Sequence, residues 1–112
     1  MREDEFAAWL AESHRTRDGG RLGARPRSDA KSRCKRVAKY EGNLDRHFAL
    51  DRMKGLLGVL TYSRSDERSG ISARHSVPID GDVVDGTASL RNAVNLYRLF
   101  CEDSPPNAKR SA

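Results

Sequence analysis

The chain has 112 residues, 37% hydrophobic and 33% charged, with 21 Lys+Arg against 16 Asp+Glu and a net charge of +5. That length is one domain's worth and buries roughly two-thirds of the surface its unfolded chain exposes. The composition excludes a collagen-like chain, a disulfide knot and a transmembrane protein, since no apolar run approaches the ~20 residues that cross a bilayer.

The first residues, Met-Arg-Glu-Asp-Glu-Phe, are acidic and do not read as a signal peptide, so a reducing, cytoplasmic setting is expected. Cys34 and Cys101 lie far apart with no Cys-x-x-Cys spacing; each falls inside a helix-like pattern and reads as a small core hydrophobe.

A first helix is expected over residues 2–14. Phe6, Trp9, Leu10 and Ser13 follow the i, i+3, i+4, i+7 spacing, and Glu3, Asp4 and Glu5 sit where they favour the positive end of the helix dipole. Trp9 reads as its core anchor. Residues 15–27, with three glycines and Pro26, form a flexible basic loop. A second helix starts at Ser28 as N-cap and runs to about Tyr40, with Ala30, Cys34, Val37 and Ala38 on its apolar side. Gly42-Asn43 stops it, and residues 44–50 link it to a third helix over 51–62. Met53, Leu56, Leu57 and Leu60 make that helix's buried stripe. Its Gly55 and Gly58 either weaken it or mark a close helix–helix approach.

Residues 63–86 are polar and read as irregular. Within them Asp80-Gly81, flanked by Val and Ile, is a hairpin-turn signal, so a small β-hairpin over 77–84 is the alternative. The fourth helix is expected from Thr87 to Glu102, with Leu90, Ala93, Val94, Tyr97 and Phe100 on a wide apolar face. Pro105-Pro106 ends it. The fold class is therefore all-α: one four-helix domain over 1–104, then a disordered basic tail over 105–112.

The charge is local. Residues 14–40 carry ten Lys/Arg and two acids, residues 1–13 one Arg and four acids, and residues 41–112 ten of each sign. On the second helix Lys31, Lys35, Arg36 and Lys39 lie opposite the apolar side. Arg21, Arg25 and Arg27 extend this positive stretch through the preceding loop, a footprint suited to a polyanion. The competing interpretation is a solvated helix face that happens to be Lys/Arg-rich.

Little else carries chemistry. His14, His47 and His75 stand alone, Asp80, Asp82 and Asp85 lack the closing Glu of a calcium loop, and no nucleophile elbow or phosphate-cradling glycine loop occurs. No catalytic residue, metal or cofactor is assigned, and the chain is not expected to be an enzyme.

The order of elements has a specific likeness. Phe-x-x-Trp-Leu opens the chain, then come a basic loop, a Ser-initiated basic helix, a Leu-rich helix and Ser89-Leu90-Arg91-Asn92-Ala93-Val94-Asn95-Leu96-Tyr97-Arg98-Leu99-Phe100 before Pro105-Pro106. This resembles the N-terminal core-binding, SAM-like domain of tyrosine recombinases and phage integrases, over about residues 6–106. The resemblance implies a domain that clamps duplex DNA with polar faces of its second and fourth helices. At matching positions those faces are Lys31, Lys35 and Lys39, and Arg91, Asn95 and Arg98. The catalytic domain that follows in that family is not in this chain, and the 63–86 link is longer than the family's turn. Two functions are expected from this. One is a small non-catalytic module binding duplex DNA through phosphates, gaining useful affinity as a homodimer or with a partner. The other is an adaptor or inhibitor from a mobile element, such as an anti-defence protein, whose basic face meets an acidic protein surface.

Overall fold

A computed structural model describes residues 1–105. Its elements are α1 (Glu3–Glu12), α2 (Ala24–Glu41), α3 (Leu44–Asp51), α4 (Lys54–Val59), α5 (Arg64–Arg68) and α6 (Val83–Asp103), with no strand among the described residues. The class is all-α, as the periodicity requires, but divided into six helices. The expected tail beyond Pro105 lies outside the described residues.

α2 and α6 form the central pair, and α1 packs across both. Ala30, Cys34 and Val37 of α2 meet Leu90, Ala93, Val94, Tyr97 and Phe100 of α6, all buried. The Cys34 thiol donates to the Ala93 carbonyl oxygen at 3.2 Å, so the two backbones lie close at that level. Phe6 of α1 closes the core with its ring 5.0 Å from Tyr97, edge to face, and 5.5 Å from Phe100. Trp9 is half-buried rather than a full core anchor. Its ring lies 5.9 Å from Phe100, and its indole N–H donates to Asp103 Oδ2 at 2.8 Å, tying α1 to the end of α6.

The Tyr97 hydroxyl donates to Asp45 Oδ1 at 2.6 Å and accepts from the Arg2 N–H at 2.9 Å. The Met1 ammonium lies 3.3 Å from the other Asp45 oxygen. Three chain segments thus meet at one buried phenol.

Several boundaries differ from expectation, each for a local reason. α2 begins one turn before Ser28, at Ala24. Pro26 falls in the first turn, where a missing N–H costs nothing because no intrahelical acceptor exists there. The expected 44–50 link is α3: Asn43, rather than merely ending α2, caps the next helix by accepting from the Asp45 and Arg46 N–H groups. The expected single helix over 51–62 is broken at Arg52 (φ 56°) and Met53 (φ 68°), both left-handed, leaving only α4. That backbone costs free energy in a non-glycine residue and persists because it delivers Met53 fully into the core. Gly58 has nothing within 4 Å of where a Cβ would stand, so it marks no close helix approach.

Residues 63–86 hold α5 and then an extended strap, not a hairpin. Ser63 caps α5 through a reciprocal capping box with Asp66. The strap over 75–79 runs across the C-terminal half of α2 and the start of α6. Arg36 donates to the Pro78 carbonyl, and the Ser76 N–H donates to Glu41 Oε2. Val77 is buried, and Ile79 packs where Gly86 has no side chain. α6 starts one turn earlier than Thr87: Asp82 accepts from the Asp85 N–H as N-cap. Thr87 is fully buried, and its hydroxyl bonds His75 Nε2 at 2.8 Å.

Candidate nucleic-acid interface

The arm before α2 is built on a closed turn. The Thr16 N–H donates to the Gly20 carbonyl at 2.8 Å, Gly19 takes φ +86°, and the Thr16 hydroxyl donates to Asp18. That hydroxyl and the Gly20 N–H hold the Asp18 carboxyl below its usual range. The Arg27 guanidinium donates to the Leu22 carbonyl at 2.7 Å and fastens the arm to the first turn of α2.

Arg15 donates to the Glu12 and His14 carbonyls, but three other cations around this turn are free. Arg17, Arg21 and Arg25 are exposed and have no hydrogen-bond or ion-pair partner among the described residues. The Gly23 N-cap makes no side-chain bond, and the first turn of α2 holds no acid, so its positive dipole end adds to the same field.

The lysines of α2 are placed differently. Lys31 and Lys35 reach Glu3 of α1, at 3.6 and 3.5 Å. Lys39 lies 5.4 Å above the Tyr40 ring, and Arg36 is turned to the strap. On α6, Arg98 donates to both Glu102 oxygens and to Asn95, whereas Arg91 is exposed and unpartnered among the described residues.

The two expected faces do not merge. α2 packs on the Ala93 side of α6, with Ser89, Asn92 and Leu96 bordering it. At about 100° per residue, Arg91, Asn95 and Arg98 lie roughly a third of a turn further round. Arg17, Arg21 and Arg25 therefore make a free positive group on the arm and the start of α2, apart from the α6 face.

Arg33 escaped the sequence pattern. It is half-buried and unpartnered among the described residues, one turn after Asp29, in a groove between α2 and α6. Its position at the edge of the Ala30–Cys34 stripe was the available signal.

Burial pushes the Cys34 and Cys101 thiols up to about 12, and both are free and buried. No group of three or more His, Cys, Asp or Glu among the described residues could hold a metal ion, and no described helix is long and apolar enough to cross a membrane. Comparison with family models, curated proteins and solved structures gives no match.

Proposed function

We propose that this chain is a non-catalytic module that binds duplex DNA through its phosphates, using the 15–27 arm and the first turns of α2. One observation carries this: exposed Arg17, Arg21 and Arg25 stand without partners beside an acid-free helix N-terminus, while Lys31 and Lys35 further along α2 are already paired with Glu3. A guanidinium with no protein partner gives up only water and counterions when it meets a phosphate. The resemblance to a core-binding domain supports the same partner. It places its contacts further along α2 and on α6, where here Glu3 and Glu102 compete for the side chains. Phosphate contacts carry no base information, so sequence preference is modest.

The test is anisotropy of a labelled generic duplex across a salt series. The parent binds at low salt with a log–log slope of about −3, roughly one counterion for each of the three free arginines. Arg21→Glu with Arg25→Glu abolishes that binding while thermal stability stays unchanged, because neither side chain touches the fold. No binding at low salt, or binding indifferent to this double variant, overturns the proposal. Reversing Lys31 and Lys35 is a poorer test, since it sets new acids against Glu3 and disturbs the α1–α2 contact.

A further inference from the structure

A groove of about 340 Å³ runs between α2 and α6. Leu22, Pro26, Ala30, Ala93 and Leu96 give it an apolar floor. Its charged edge is on α2, where Asp29 and Arg33 stand one turn apart, both half-buried. An acid four residues before a base on a helix is placed to pair with it. These two do not pair, and neither has another partner among the described residues. Tyr40, 42% exposed, continues the same edge. At about 100° per residue it falls between Asp29 and Arg33 around the helix, two turns past Arg33.

That charge pattern selects the occupant. A phosphate or an acidic segment laid in the groove meets Asp29, and a basic segment meets Arg33. Each is a like-charge contact with a group already drawn partly out of water, where repulsion is screened least. The edge is satisfied by a surface that carries the same two charges in the opposite order. A second copy of this chain, related by a two-fold axis, has that surface by construction. With α2 antiparallel to its symmetry mate and the axis at the level of Lys31, Arg33 of each copy meets Asp29 of the other. Tyr40 and Leu22 are equally far along the chain from Lys31, so the same axis brings each Tyr40 ring to the Leu22 end of the partner's apolar floor.

We infer that the chain self-associates through the α2–α6 groove as an antiparallel two-fold dimer, held by two reciprocal Arg33–Asp29 pairs and by Tyr40 against the partner's apolar floor. α2 is about 27 Å long, and a contact strip about 10–15 Å wide buries about 300–400 Å² on each copy. That total is below the ~1,200 Å² of stable interfaces, so the dimer forms in the micromolar to millimolar range. Because the two copies of α2 run in opposite directions, their 15–27 arms emerge at opposite ends of the pair. The inference does not rest on the DNA reading, since self-association is measured without DNA.

In sedimentation velocity the parent is expected to move from monomer toward dimer as its concentration rises from about 10 µM to 1 mM. The test is charge reversal at the two edge positions. Arg33→Asp alone sets four acids across the axis and Asp29→Arg alone sets four bases, so each variant by itself weakens self-association about tenfold or more. Mixed in equal amounts, the two variants associate with each other at the parent's affinity, because every charge again meets its opposite. Both remain net positive, so bulk attraction does not account for that rescue. The double variant, Asp29→Arg with Arg33→Asp in one chain, dimerises as the parent does. Tyr40→Ser, a change at an exposed position, weakens the dimer about threefold or more and reads the same contact should a charge variant fail to fold, which circular dichroism shows. Three results overturn the inference: a parent that stays monomeric at 1 mM, which leaves the groove to solvent or another partner; a dimer indifferent to the charge reversals or to Tyr40→Ser, which places the contact elsewhere; or folded single variants that fail to associate when mixed, which excludes the reciprocal pairing.

Discussion

At the scale of single residues, His75 is held by a hydrogen bond at each ring nitrogen. Its Nδ1 accepts the Val77 N–H at 3.1 Å, so the ring proton sits on Nε2 and is donated to the buried Thr87 hydroxyl at 2.8 Å. Both bonds together need a neutral ring, because a charged ring carries a proton on Nδ1 facing another N–H. Burial holds its pKa below the ordinary 6.5, against the opposing pull of the Glu41 carboxylate. The unfolded chain therefore takes up this proton first as pH falls. The contribution to stability is full above about pH 6.5 and is lost as pH drops through the folded-state value. His75→Gln, which cannot titrate, should be less stable than the parent at pH 7.5, with the gap closing toward pH 5. A parent His75 whose ring resonances titrate at or above 6.5 contradicts the assignment.

At the scale of elements, the strap over 75–79 and the first turn of α6 are fitted to each other through an absent side chain. A Cβ on Gly86 would stand 2.5 Å from Ile79 Cγ2 and 3.2 Å from Cδ1. In a helix, Gly→Ala ordinarily gains about 1 kcal/mol, and overpacking costs about 1–3 kcal/mol. Gly86→Ala alone should therefore be neutral to destabilising, and the same change beside Ile79→Ala should stabilise. The coupling is about 1–3 kcal/mol, readable by a double-mutant cycle in urea; simple additivity contradicts the contact. This contact also shows where sequence reasoning ran out. The 3.6-residue pattern located most of the core, because periodicity reports burial directly, but not Leu44 or Val77, which fall in segments read as a link and a loop. It misjudged ends, because one residue type serves two purposes. Asn43 reads equally as the stop of α2 and the cap of α3, and Asp80-Gly81 as a hairpin turn, although Asp82 two residues on is the N-cap of α6. Nothing local announces that Arg52 and Met53 adopt left-handed backbone, since the burial of Met53 that sustains it is a tertiary matter. The positive stretch was legible as charge. Which cations are free was not, because Glu3 is 28 residues from Lys31 in the chain and meets it only once α1 lies on α2.

At the scale of the whole molecule, that ion-pair arrangement partitions the field. Residues 1–13 and 14–40 carry opposite charge, and folding lays the acidic first turn of α1 on the middle of α2. Glu3 thereby screens Lys31 and Lys35, and the exposed positive potential is shifted toward the arm. The pairs themselves stabilise little, since their side chains are between 35% and 57% exposed and such contacts are worth about 0–1 kcal/mol. Their larger consequence is for what the molecule attracts. Glu3→Gln should leave the melting temperature within a few degrees of the parent, because Phe6 and Leu10 still anchor α1 in the core. It should release two lysines beside the arm. Duplex affinity at low salt then rises by about three- to tenfold, and the salt slope steepens by about one to two. Adding Lys31→Gln and Lys35→Gln to that variant should return both quantities to the parent's values. An unchanged slope in Glu3→Gln, with the fold intact, means that α2 beyond its first turns does not face the DNA and that the arm alone carries the binding.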